Sequence, residues 1–144
     1  MAFSLKKWVG SQLFSAFMAD YNDNMTDIET ALNWGAEKTA TLGNGWTGTL
    51  KYKKQNGTGL VVVEGAITSP SSAIPFRQLI ATLDAGWRPK QTIAITAYSA
   101  TAGRLVEGFK LGANGELKTE LEVAANAQLV VPSNQYHISI SYVV

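Results

Sequence analysis

The first part of the chain carries large apolar residues at alternating intervals of four and three positions. This heptad period, close to three repeats long, predicts an amphipathic helix with a self-associating stripe. We expect the helix to run from about Gln12 to Trp34, with Ser11 capping its start and a left-handed Gly35 closing its end. The residues expected in the oligomer core are Phe14, Met18, Tyr21, Met25, Ile28 and Leu32.

The residue types within the stripe bear on the number of subunits. With Leu32 at an a position and Ile28 at a d position, the order is the reverse of the one that favours parallel dimers. The residue types therefore favour a coiled coil of three or four helices. A second interpretation stays open, because three repeats are the lower limit for a coiled coil and the stripe could instead pack on the chain's own β-domain.

From Trp46 onward, alternation of apolar and polar residues replaces the helical period. Tight turns are expected at Asn56-Gly57 and, most clearly, at Asn114-Gly115. Short strands with frequent turns and no second helix are typical of an antiparallel β-sandwich, jelly-roll-like in size. The expected strands are Trp46 to Tyr52, Gly59 to Ile67, Phe76 to Ala81, Thr92 to Ala97, Arg104 to Leu111, Glu116 to Val123 and His137 to Val143.

These patterns predict a mainly β protein with one N-terminal α-helix, in which a sandwich head sits on an oligomerising helix. Residues 1–35 form the N-terminal segment and helix, 36–45 a linker, and 46–144 the head.

Composition narrows the possible functions. Charged residues make up 16% of the chain and the formal net charge is +1, with lysines and arginines scattered, so a nucleic-acid partner is not expected. The absence of cysteine removes disulfides and thiolate chemistry. Neither a signal-peptide core nor an apolar run of the roughly 20 residues that cross a bilayer is present, so we expect no secretion signal and no membrane insertion.

The sequence contains little that indicates a catalytic site or a metal site. His137 is the only histidine and has no second ligand or nucleophile near it in sequence, so no metal or cofactor is expected. Glu120 and Glu122 share one strand face, whereas a glycosidase needs two carboxylates on opposite sides of the scissile bond. A surface polysaccharide depolymerase is therefore the least favoured function, and the protein is expected not to be an enzyme.

Three residues are candidate saccharide contacts. Trp87 beside Arg88 could stack on a sugar while the guanidinium binds its hydroxyls. The structural alternative is favoured, in which Trp87 caps the core and Arg88 bonds loop carbonyls between Gly86, with an unusual φ, and Pro89. Tyr98 is the third candidate, although an aromatic residue in a predicted strand more often fills core, as we also expect for Trp46.

The segment from Gln78 to Ile95 resembles one that is common in phage tail-fibre and baseplate proteins, with a strand, a Gly-aromatic-Arg-Pro turn at Gly86 to Pro89, and a second strand. The Asn114-Gly115 tip and a final strand from Tyr136 to Tyr142 extend the match over roughly the last 70 residues. With its preceding helix, the chain resembles the small trimeric receptor-binding and baseplate-peripheral proteins of phages that infect Gram-positive hosts.

This resemblance implies a virion component made in the host cytoplasm, with trimeric helices along an axis. It implies that other tail or baseplate proteins hold the N-terminal helix and that the head contacts host cell-wall saccharide. One departure is that only Ala36 to Gly45 separates helix from head, where family members carry a neck or shoulder. A purely structural connector or decoration protein of a baseplate or capsid is the alternative.

Overall fold

The structure, a computed structural model, describes residues 12–120 and 130–144, with the side chains of the helix described from Met18 onward. Within these ranges the expected mainly β fold with one N-terminal helix is confirmed. A 3-10 turn, Ala85–Trp87, lies between the fourth and fifth strands. The elements are α1 (Gln12–Leu32), β1 (Lys38–Thr39), β2 (Thr47–Lys54), β3 (Leu60–Thr68), β4 (Leu79–Thr82), β5 (Ile93–Ser99), β6 (Arg104–Leu111), β7 (Glu116–Thr119) and β8 (Gln135–Val143).

The strands form one antiparallel sheet in the order β1-β2-β3-β8-β5-β6-β7-β4. The sheet curls, because the loop between β1 and β2 is bonded to β4 at its opposite end. Gly43 N donates to Ile80 O over 2.8 Å, and the Asn44 side-chain amide donates to Leu79 O over 2.7 Å. The layers on either side of the core therefore belong to one continuous sheet.

An aromatic cluster fills the space that the curled sheet encloses. The ring centroid of Phe109 lies 6.0 Å from that of Trp46 and 5.1 Å from that of Tyr136, with both pairs edge to face. Trp46 is buried, as expected, and its Nε1 donates to Gln78 Oε1 over 2.8 Å. Burial of each large side chain contributes roughly 1.5–3 kcal/mol, so this cluster anchors the head.

A β-bulge at Gly108 interrupts the pairing of β5 with β6. Ile95 pairs with Phe109, but the next pair is Thr96 with Glu107, which leaves Gly108 as the extra residue. Val106 and Phe109, three positions apart, can therefore both face the core, where strict alternation would turn one of them outward. The predicted bounds of β6 are confirmed, whereas the bulge within this strand was not predicted.

Both expected hairpins are present, but one uses a different turn residue. Gly115 has φ +83° at the tip between β6 and β7, as the sequence predicts. Between β2 and β3 the left-handed residue is Gly59, with φ +68°, so the positive φ expected at Asn56-Gly57 is wrong. Gly57 serves the contact with the helix instead.

Two predicted strands differ from those observed by more than two residues at one end. β4 begins at Leu79, because Phe76 and Arg77 form a turn in which Arg77 adopts a φ of +54° that extended strands do not use. β7 ends at Thr119, and the predicted continuation from Leu121 to Val123 lies outside the described residues.

The hairpin turn between β2 and β3 caps the end of α1. Gly57 N donates to Ala31 O over 2.7 Å, and Gln55 Nε2 donates to Leu32 O over 2.8 Å. Gly35 does not adopt the expected left-handed conformation, and its N donates to Lys54 O over 2.7 Å. The predicted glycine cap is wrong because the head itself supplies donors for the last helical carbonyls.

Among the described residues, no helix has both the length and the apolar character that a membrane crossing requires.

Candidate functional site

The helix presents its predicted oligomer stripe to solvent. The described members Met18, Tyr21, Met25 and Leu32 are exposed, and Tyr21 and Leu32 retain 50% and 54% of their accessible surface. Ile28 is half-buried, and the side chain of Phe14 lies outside the described residues. A helix that packed its stripe on its own head would bury these side chains. In the single chain, the head leaves most of the described stripe uncovered.

The turn from Gly86 to Pro89 is held by contacts within the head. Trp87 is half-buried, lies edge to face on Tyr52 with centroids 5.3 Å apart, and accepts a 2.6 Å hydrogen bond from Tyr142 Oη at its carbonyl oxygen. Burial raises the pKa of Tyr142, which keeps this hydroxyl protonated as a donor. Arg88 Nε donates to Leu83 O over 3.1 Å, as the structural alternative predicts. The unusual φ expected at Gly86 is wrong.

Two lysines lie against the Trp87 ring. The Nζ atoms of Lys38 and Lys54 lie 5.5 Å and 5.1 Å from a ring centroid, and Lys54 Nζ also donates to Gly86 O over 3.0 Å. Lys38 is paired with Asp84, and the hydrogen bond between them lowers the pKa of Asp84 and raises that of Lys38. The indole is therefore already engaged by the chain's own cations.

Tyr98 lies on the outer face of β5, so its expected place in the core is wrong. It is 45% exposed, pairs with His137 on β8, and pairs with the exposed Leu105 on β6. The rings of Tyr98 and His137 have centroids 6.3 Å apart. These residues form an exposed, partly aromatic row across three strands.

The fold does not bring Tyr98 together with Trp87 and Arg88. Trp87 is bonded to Tyr142, which packs against the core, whereas Tyr98 pairs with His137 on the outer face. His137 and Tyr142 are five residues apart on β8, which corresponds to roughly 16 Å along a strand. The two candidate regions therefore cannot contact one sugar ring together.

A groove outside these predictions crosses the outer face of β5, β6 and β7. It consists of two cavities, of about 380 Å³ and about 280 Å³, that share Lys110 and Glu120. The first lies at the bulge, where Ala94, Thr96 and Gly108 are among its lining residues. Small side chains and the missing side chain of Gly108 leave room there. We call the two cavities together the bulge groove.

Charged side chains of both signs line the bulge groove. The Glu120 side chain is only 19% exposed, and its Oε1 accepts a hydrogen bond from Lys110 Nζ over 2.7 Å. Arg77 Nη2 lies 3.9 Å from the same oxygen. Lys118 Nζ lies 2.5 Å from Glu116 Oε2, and its hydrogen bond lowers the pKa of Glu116. The groove thus offers hydrogen-bond donors and acceptors in close alternation.

The Phe76-Arg77 turn adjoins the bulge groove through Arg77, which lines the second cavity. Phe76 is 52% exposed, and the Arg77 guanidinium lies 4.7 Å from the centroid of its ring. Buried Thr119 anchors the turn from both sides, because its Oγ1 accepts from Gln78 N over 2.9 Å and donates to Pro75 O over 3.2 Å. An exposed aromatic ring and a guanidinium are therefore carried on a fixed support.

Sequence reasoning did not single out Arg77, Lys110 or Glu120 as a binding site. Glu120 was expected on a solvated strand face with Glu122, which lies outside the described residues. The available signal was the alternation of Glu116 and Lys118 on one face of β7 with Glu120 just after its end, beside Lys110 on β6. Within residues 12–120 and 130–144, no group of three or more potential metal ligands is present.

Of three comparisons with known proteins, the one with solved structures finds a similar fold. No family model matches the chain, and no curated protein matches it. The fold of this chain is one that a phage receptor-binding protein also adopts. A solved example is the receptor-binding protein of Listeria phage PSA, whose crystal structure matches with a TM-score of 0.68 and 19% sequence identity, over 95% of this chain and 80% of that one.

The match extends over nearly the whole molecule. Because it leaves out only about one twentieth of this chain, it must include much of the 21-residue helix as well as the head. The resemblance to phage receptor-binding proteins is thus confirmed at the level of the fold.

Proposed function

We propose that the protein is a homotrimeric receptor-binding protein of a phage tail or baseplate, and that its head contacts saccharide on the host cell surface. The observation that carries this proposal is the fold shared over 95% of the chain with the receptor-binding protein of Listeria phage PSA. On this proposal the protein is a binding protein and not an enzyme, and it resides in the virion, where other tail or baseplate proteins contact its N-terminal helix.

The uncovered helix supports the oligomeric part of the proposal. An isolated helix of 21 residues without a packed apolar face is only marginally stable in water. Association of three helices through Met18, Met25 and Leu32 would bury side chains that the single chain exposes. Because the β2–β3 hairpin holds the end of α1, such a bundle would also fix the placement of three heads.

Trimerisation also suits recognition of a repetitive surface polymer. Three weak saccharide sites on one particle act together when their spacing matches the polymer, and avidity then exceeds the affinity of a single site by roughly 10²–10⁴.

The native mass in solution tests the assembly. Three chains of 15.5 kDa give 46.5 kDa, and we expect light scattering to report this value for the purified protein. Met25→Lys places a charge in the stripe and should reduce the mass to that of one chain. Thr30→Lys, at an exposed position outside the stripe, is the matched control and should leave the trimer intact. A wild-type protein that is monomeric at every concentration contradicts the trimer.

Binding to an array of bacterial surface polysaccharides tests receptor recognition. We expect the trimer to bind at least one polysaccharide of a Gram-positive host and to release no reducing ends from it. A stable trimer that binds none of the polysaccharides, and no host cell, would indicate a structural connector. Release of reducing ends would indicate a depolymerase.

A further inference from the structure

The bulge groove has dimensions suited to a sugar ring. Its larger cavity, about 380 Å³, lies within the range of roughly 300–1,000 Å³ common for small-molecule sites. It continues at Lys110 and Glu120 into the second cavity of about 280 Å³. An elongated groove of this kind can hold consecutive units of a polymer, whereas a closed pocket would hold only one.

The charges along the bulge groove balance. Arg77, Lys110 and Lys118 contribute three positive charges, and Glu107, Glu116 and Glu120 contribute three negative charges. A balanced groove has no net field that would attract a polyanion. It does place donors and acceptors side by side, which is what neighbouring hydroxyl groups of a neutral sugar require, since each hydroxyl both donates and accepts.

The central charged groups retain hydrogen-bonding capacity. Lys110 donates to one oxygen of Glu120, and a carboxylate has about four acceptor positions. The Arg77 guanidinium, at 3.9 Å from that oxygen, is beyond hydrogen-bonding distance of it. Its planar set of N–H donors can therefore bind a ligand oxygen beside Glu120.

Phe76 supplies an apolar surface for the same ligand. The Arg77 guanidinium lies over one part of the ring, and the half of the side chain that stays exposed beside Arg77 can receive the C–H groups of a pyranose. Thr119 holds the backbone on both sides of the Phe76-Arg77 turn through two hydrogen bonds, so the backbone of the turn has little conformational freedom to lose when a ligand binds.

The backbone at Arg77 adds an independent observation. Its φ of +54° is disfavoured for a residue with a side chain, and glycine would adopt it without cost. Strained positions of this kind cluster at ligand-binding sites. The presence of arginine there points to a use for its guanidinium.

We infer that the bulge groove is the saccharide site of the head, and that it binds uncharged pyranose units with neighbouring hydroxyls. Phe76 packs on the sugar face, Glu120 accepts from two hydroxyls, and Arg77 and Lys110 donate to ring or hydroxyl oxygens. This inference rests on the proposed function, because it locates the saccharide contact that the function requires.

The test uses the full-length trimer and the polysaccharide array. For the uncharged polysaccharide that binds best, we expect Phe76→Ala, Arg77→Gly and Glu120→Gln each to weaken binding about tenfold or more, the effect of losing one charge-assisted hydrogen bond or apolar contact. Glu64→Gln, the same change as at Glu120 but at an exposed position of β3 outside both cavities, is the matched control and should bind as wild type.

Arg77→Gly separates binding from folding. Because glycine relieves the positive φ, this variant should melt at or above the wild-type temperature while it loses affinity. A general loss of structure would instead lower the melting temperature together with binding. Phe76→Ala removes an exposed ring, and Glu120→Gln keeps the shape of the side chain. Both variants should therefore also lose affinity without a lower melting temperature.

The possible outcomes distinguish failure of the site from failure of the function. Saccharide binding that survives all three groove substitutions overturns the site and leaves the proposed function standing. Binding confined to anionic polymers, such as poly(glycerol phosphate), overturns the choice of uncharged sugars. A wild-type trimer that binds no polysaccharide refutes saccharide recognition, and the groove inference with it.

Discussion

Large apolar side chains are buried in the head but exposed in the described part of the helix. In the head, Trp46, Phe109 and Tyr136 are buried inside one curled sheet that is bonded nearly end to end. In the helix, Met25 and Leu32 remain exposed. The head has a core of its own, whereas the described part of the helix leaves these side chains uncovered in the single chain. If the helix forms the proposed trimer, folding of the head and assembly of the helix are therefore separate processes.

The joint between the two regions is made by backbone hydrogen bonds. The hairpin residues Asn56 and Gly57 donate to the carbonyls of Asn33 and Ala31, over 3.0 Å and 2.7 Å. The helix therefore leaves the head in a defined direction although its apolar face is uncovered. In the proposed trimer, this joint would set the direction in which each head leaves the helix axis.

The largest expected effect is loss of head stability on truncation of the core. Phe109→Ala should lower the free energy of unfolding by about 3–5 kcal/mol, because it removes a fully buried ring and leaves a cavity. Urea denaturation, followed by tryptophan fluorescence in the monomeric Met25→Lys background, measures this without a contribution from assembly. In the same background, Met18→Ala should change the value by less than about 0.5 kcal/mol. If Phe109→Ala and Met18→Ala lowered the free energy of unfolding by similar amounts, the described contrast between a buried core in the head and an exposed stripe on the helix would be wrong.

A smaller effect is expected at the joint. A Cβ added at Gly57 would lie 2.6 Å from both the Cβ and the carbonyl oxygen of Ala31, so Gly57→Ala must push the hairpin away from the helix. Loss of the associated hydrogen bonds should cost about 1–3 kcal/mol and speed amide exchange at the end of α1. Gly43→Ala is the control, because the nearest atom to its added Cβ is 3.9 Å away. Equal free energies of unfolding for Gly57→Ala and Gly43→Ala would show that the contact between the hairpin and the helix does not contribute to stability.

Much of the fold follows from local sequence patterns. The heptad period predicts α1 to within two residues at its end, and alternation predicts the longer strands and the Asn114-Gly115 hairpin. Gly57 was assigned to the wrong role because local turn rules do not include a helix that packs on the turn. Arg77 carries no residue-type signal for a positive φ, so the start of β4 at Leu79 instead of Phe76 could not be anticipated.

The candidate site was harder to predict, because long-range pairing creates it. Ile95 and Ala97 set the inward face of β5, which turns Tyr98 outward, and this alternation was a usable signal. Lys110 and Glu120 meet through the register of β6 and β7. Arg77 reaches them only because Thr119 binds its turn, a contact between residues more than forty positions apart that no local pattern specifies.

The smallest expected effect concerns the ion pair beside Trp87 in the head. The hydrogen bond from Lys38 lowers the pKa of Asp84 below its unfolded value, so the pair stabilises the head above about pH 4 and this contribution is lost as pH falls through the folded pKa. The pKa of Lys38 is raised, so its contribution is present below the unfolded pKa of about 10.4 and is lost as pH rises through the folded value.

Asp84→Asn should therefore melt slightly below wild type at pH 7, and the gap should narrow at pH 3, which is below the unfolded pKa of about 3.9, so that part of the stabilisation by the charge is lost. Because both side chains are exposed, the gap at pH 7 should also shrink in 1 M salt, where charges are screened beyond about 3 Å. Differential scanning calorimetry of the two proteins at both pH values measures this. A gap that is independent of pH and salt would assign the effect of Asp84 to its packing and not to its charge.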